Sequence, residues 1–184
     1  MQFGSARTTI NDKHSIQQGL REGMGAVADW VEAQPDAAFE QGPEGRWSTG
    51  QHLEHLVRSV QPIIMGMAMP RILLRMVFGT VSRSGMDYTT VMEAYEAVLD
   101  KGGKAGGRYI PPAIPAARKP QVLARHRRAC EDLVARIDHW SDADLDRHGA
   151  KHPLMGQLSL REVLFFTIHH HDHHLETLRR DYGD

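Results

Sequence analysis

The chain has 184 residues, of which 41% are hydrophobic, 24% charged and 7% aromatic, the profile of one ordinary globular domain spanning residues 1–184. A chain of this size buries enough apolar surface to fold without disulfides or a structural metal, and the lone Cys130, with no partner for an internal bridge, suits a reducing cytoplasm. Lys and Arg (22) almost cancel Asp and Glu (23), so the net charge of -1 gives no reason to expect a nucleic-acid partner. The excess is in histidine: twelve residues, more than phenylalanine and tyrosine together, with five of them inside 169–174.

Met1 to Asn11 contains no apolar core of a secretory leader, so none is expected. Ile16, Leu20, Met24, Val27 and Val31 then repeat at four and three, the stripe of an amphipathic helix that should stop before Gln34 and Pro35. Ser48 and Gln51 have the spacing of a capping box, and Leu53, Leu56, Val60 and Ile63 continue a second helix that Pro62 should kink and Pro70 should disturb. Val60 to Val81 is apolar but interrupted by Pro62, Pro70, Arg71 and Arg75, which reads as a buried or interface segment rather than a membrane span. Its methionines, Met65, Met67, Met69 and Met76, read as core or as the surface of a homodimer. Peripheral membrane contact would need the face from Ile72 to Phe78 exposed and is the weaker reading.

Val91, Tyr95, Val98 and Leu99 mark a short helical segment, and Lys101 to Lys119, rich in Gly and Pro, reads as a flexible connection. A third long stripe, Val122, His126, Cys130, Leu133, Ile137 and Trp140, starts near Pro120, a residue suited to a first helical turn. Ser159 and Glu162 form another capping box, opening a last helix that runs towards Arg180. No alternating strand pattern or Asn-Gly hairpin appears. The expected class is therefore all-α, an antiparallel four-helix bundle with an extra short helical segment and the long connection.

An advance of about 100° per residue separates the histidines of the last helix. His170 and His174 fall at the edge of the apolar face, His169 and His173 point away from it, and His171 points into it. Two imidazoles four residues apart can share one ion, but a third ligand must come from elsewhere. On the second helix His52 and His55 are both available, and the period alone favours His52; His126 is a further candidate. Glu-x-x-His, the spacing of a di-iron bundle, does not occur.

Three segments, Arg46 to Leu56, His152 to Ser159 and Phe166 to His174, together resemble the DinB/YfiT-like superfamily of small helical bundles. The resemblance implies a site made of one histidine on the second helix, eight positions after the Trp, and a His-x-x-x-His pair on the last. That is His55 with His170 and His174. It further implies one divalent ion, zinc first and nickel or iron as alternatives, with an open position that activates water or a low-molecular-weight thiol against a small-molecule substrate. Relatives are hydrolases, thiol transferases and a maleylpyruvate isomerase; a bundle that only binds metal or a small ligand is the alternative. Glu54 and Asp172 are candidates to orient a ligand or carry a proton. His152 resembles a turn feature that positions the last helix. The outward His169 and His173 are expected in solvent, and His126 and His171 as core histidines satisfied by hydrogen bonds.

Overall fold

The computed structural model describes residues 10–183, so most of the segment Met1 to Asn11 lies outside the described residues. It is 70% helical. Four long helices form the bundle: α1 (Lys13–Ala33), α3 (Thr49–Ala68), α6 (Lys119–Asp138) and α8 (Leu160–Tyr182). Shorter helices α2 (Asp36–Glu40), α4 (Arg71–Phe78), α5 (Tyr88–Asp100) and α7 (Asp142–Arg147) lie between them. Within the bundle α1 packs on α6 and α8, α3 packs on α6, and α5 lies against α8.

Local chemistry sets the helix starts. Ser48 accepts from the Gln51 amide at 3.1 Å while the Gln51 side chain accepts from the Ser48 amide at 3.0 Å, and Ser159 and Glu162 do the same for α8. Pro120 sits in the first turn of α6, where no amide is needed. α3 continues through Pro62 as one helix to Ala68. Gly50 permits the close crossing of α2 over the start of α3, since a Cβ there would lie 2.6 Å from the Phe39 carbonyl oxygen. Phe39 is fully buried beneath that crossing.

The core has two lobes. The larger contains Leu20, Val60, Leu133, Ile137, Leu164 and Ile168; the smaller contains Val31, Leu53, Leu56, Leu123, Leu175 and Leu178. On α6 and α8 one lobe gives way to the other at histidines, His126 on α6 and His170 with His171 and His174 on α8, and on α3 His55 lies in the smaller lobe's stretch just before the larger lobe begins at Val60. A layer of imidazoles thus crosses the bundle, and all five are buried.

Three expectations are corrected. A two-stranded hairpin is present, β1 (Gly149–His152) with β2 (Gly156–Ser159), in the antiparallel register Gly149 to Ser159 and His152 to Gly156. Strands of four residues are too short to show a period, and Gly156, at φ 75°, provides the turn without an Asn-Gly pair. Lys101 to Lys119 is not a free linker: short 3₁₀ turns at Gly107–Tyr109 and Ala116–Arg118 shape it, and Ile114 is buried in the smaller lobe. The segment after Val60 divides, with Met67 and Leu74 buried while Met65, Ile72, Met76 and Val77 are exposed, Met76 to 77%. Among the described residues no helix is long and apolar enough to cross a membrane.

Candidate metal centre

The capped start of α3 places His52 and His55 one turn apart against the middle of α8. His55 Nε2 lies 3.2 Å from His170 Nε2, and His170 Nε2 lies 3.2 Å from His174 Nε2. One ring nitrogen from each of the three falls within 4.8 Å of the others. Second contacts orient the rings. His55 Nδ1 meets the Tyr109 carbonyl at 2.7 Å, and His174 Nδ1 meets His52 Nδ1 at 2.8 Å.

These contacts decide what the cluster can hold. A carbonyl only accepts, so His55 Nδ1 carries the proton and donates it, and in the neutral ring Nε2 is left with a lone pair. The tautomer of His174 that frees Nε2 likewise places its proton on Nδ1, which donates to His52. Burial holds His55, His170 and His174 below the usual histidine range, the last two well below it, and the neighbouring imidazoles push the last two further down. Neutral imidazoles with converging lone pairs repel one another unless a cation lies between them. Two nitrogens 3.2 Å apart, each at a metal–nitrogen bond of about 2.0–2.1 Å, would subtend roughly 100°, close to a tetrahedral angle. The residues fit a divalent ion with imidazole ligands.

A cavity of about 430 Å³ opens on this centre, and His55 and His170 form part of its wall. The rest is mostly apolar, including Ile63, Leu74, Phe78, Val163 and Phe166. Polar side chains join it, His152 and Tyr95 among them. His152 Nδ1 accepts from the amides of Leu154 and Met155 at 3.2 and 3.1 Å, which closes the hairpin turn and leaves the proton on Nε2. Burial lowers its pKa to about 4, so the ring is neutral at pH 7 and is a hydrogen-bond donor in the cavity wall. Tyr95, from α5, packs its ring against Phe166 and His170, and burial raises its hydroxyl to about 12.

A family model described as the DinB superfamily matches residues 20–178, a span that includes the bundle's histidine layer. The chain belongs to the DinB superfamily. Comparison with curated proteins and with solved structures yields no significant match.

In this DinB protein the three histidines named from the resemblance meet, and His52, favoured by the helical period alone, stands behind His174 instead. Glu54 does not reach the cluster. It bridges Arg58 of its own helix (2.9 Å) and Arg125 of α6 (3.0 Å), and Arg58 in turn donates to the carbonyls of Arg108 and Ile110 on either side of Tyr109. Glu54 is thus linked through Arg58 to the segment that presents the Tyr109 carbonyl to His55. Asp172 is half-buried on α8 and is not among the groups that converge on the cluster.

His169 and His173 are not in solvent: His169 is buried and donates from Nε2 to Glu96 Oε1 at 2.7 Å, and His173 is half-buried 3.8 Å from the same oxygen. α8 is covered on two faces, by the bundle and by α5, so the outer histidines are shielded as well. His171 Nδ1 meets the Thr167 carbonyl at 2.8 Å, but its Nε2 and both nitrogens of His126 have no hydrogen-bond partner among the described residues, against the expectation that these rings are satisfied. Cys130 is half-buried with its thiol pushed up to about 11 by burial, a packed and unreactive group. Sequence reasoning missed Tyr95 and the Tyr109 carbonyl as parts of the site. The Tyr95 stripe was a signal for packing only, and a carbonyl leaves none.

Proposed function

We propose that this DinB protein is a metal-dependent enzyme in which His55, His170 and His174 hold one divalent ion, zinc first and nickel or iron as alternatives, beside a chamber for a small-molecule substrate. The convergence of one ring nitrogen from each of three buried imidazoles, held below the usual histidine range and set at the wall of a mostly apolar cavity, carries the reading. When bound, such an ion supplies Lewis acidity and lowers the pKa of a coordinated water or low-molecular-weight thiol.

The chain's own groups supply the rest. The Tyr109 carbonyl fixes the proton of His55 on Nδ1, and His52 does the same for His174. Apolar walls exclude water from the reacting group. His152 Nε2–H and the Tyr95 hydroxyl, both neutral at pH 7, are the hydrogen-bond donors placed to meet negative charge as it develops on the substrate. Among the described residues no Asp or Glu lines the cavity. We place its work in the cytoplasm, where a lone thiol such as Cys130 stays reduced.

Metal content of untagged protein, compared with the double variant His170→Ala/His174→Ala, tests the site: one equivalent in the wild type and none in the variant is expected. Full retention by the variant would overturn it. Loaded protein screened with ester and amide substrates, and with thiols plus electrophiles, then separates hydrolysis from thiol transfer. Turnover in neither, with metal bound, returns the protein to the class of metal-binding bundles.

A further inference from the structure

The charges around the cavity are all of one sign. Lys104, Arg108 and Lys151 belong to its lining, and no Asp or Glu does among the described residues, although the chain as a whole has as many acids as bases. The cations come from two separate elements, Lys104 and Arg108 from the connecting segment and Lys151 from β1, so they flank the opening rather than cluster on one loop. Arg108 is held in place. Its guanidinium lies 5.1 Å from the centre of the Tyr109 ring and donates to the Tyr109 hydroxyl at 3.1 Å. The same Tyr109 presents the carbonyl that orients His55, so one residue ties a rim cation to a ligand of the centre. Behind the rim the walls are apolar, with the His152 donor set into them.

We infer that the substrate of this cavity is an anionic amphiphile, a small carboxylate with an apolar body, its charge held at the rim by Arg108, Lys104 and Lys151 while the body lies against Ile63, Leu74 and Phe166. This inference rests on reading the cavity as the substrate's chamber. Its physical basis is complementarity: a field of one sign at the mouth of a low-dielectric cleft is focused inwards, favouring an anion and penalising a cation of equal size.

Phenylbutyrate, phenylbutyramide and phenylbutylamine share one apolar body and differ only in head-group charge. Titrated calorimetrically into the metal-loaded protein, the carboxylate should bind about tenfold more tightly than the amide, and the amine more weakly than either. The preference should shrink in high salt. It should also largely disappear in Lys104→Gln/Lys151→Gln and in Arg108→Gln, with affinity for the amide unchanged. Equal binding of carboxylate and amide overturns the inference, as does failure of all three to bind at millimolar concentration. So does a carboxylate preference that survives both charge variants, which would belong to the metal centre rather than to the rim. Metal content measured on the same samples keeps the two proposals apart: normal metal without charge preference removes only the inference, and rim-dependent preference without metal removes only the metal-centre reading.

Discussion

The last helix contains the same pattern twice, one residue out of phase. His170 and His174 face α3 and meet His55, with their nitrogens 3.2 Å apart and their ring centroids 4.7 Å apart. His169 and His173 face α5 and meet Glu96, with ring centroids 6.5 Å apart and no nitrogen of a third histidine in reach. Spacing along a helix is therefore not what makes a metal site. The inner pair gains a third imidazole and an apolar surround that keeps it neutral; the outer pair gains a carboxylate that is 46% exposed and acts as a tie between helices.

The largest expected effect breaks this comparison directly. His169→Ala/His173→Ala should keep a full equivalent of metal where the inner double variant keeps none, and should cost about 1–3 kcal/mol of stability through the lost contact with Glu96; metal analysis beside denaturant unfolding reads both. Next is the support behind the inner pair. His52→Phe removes the partner of His174 Nδ1 with little change in volume, and metal affinity should fall about 10–100-fold in a chelator competition.

A third prediction concerns an imidazole outside both pairs. His152 has a folded pKa of about 4 against 6.5 for the free group, so its contribution to stability is complete above pH 6.5 and is lost as pH falls towards 4, because the unfolded chain takes up the proton first. It amounts to up to about 3 kcal/mol. His152→Asn retains an acceptor for the turn amides and cannot titrate, so its stability should vary less than the wild type's over this range in unfolding experiments. The smallest effect is expected at His126. His126→Leu removes two buried ring nitrogens without partners, and should raise stability by about 1 kcal/mol while leaving metal content unchanged; a loss of metal would extend the centre to α6.

The candidate site was only partly legible along the chain. Capping boxes at Ser48 and Ser159 and the stripes between them marked the bundle because these are short-range rules, satisfied within a few residues. The inner pair could be chosen from α8 alone because an apolar face has one orientation. The choice between His52 and His55 could not be made that way. The two lie on neighbouring parts of one helix surface, and only the crossing of α3 over α8 brings His55 Nε2 to the cluster and His52 to the back of His174. Family resemblance resolved it where periodicity did not.

The connecting segment shows the same limit from another side. Its glycines and prolines describe a chain that makes turns, but the group it contributes is the Tyr109 carbonyl, and every residue has a carbonyl. Glu54 pairs with Arg58, which donates to the carbonyls on either side of Tyr109, a relation across about fifty positions that spacing cannot express. The exposed face of α4 and the burial of His169 follow from which helix covers which.

By itself, then, the sequence determined the all-α class, the helix starts, the inner pair of imidazoles and the neutral charge balance, all properties set by neighbours along the chain. Tertiary structure decided which second-helix histidine joins the pair, that the outer histidines bind a carboxylate instead of water, and that five of the twelve histidines form a buried layer across the bundle. The physical reason is that a metal centre is a meeting of lone pairs from distant segments, and such meetings are governed by packing rather than by local preference.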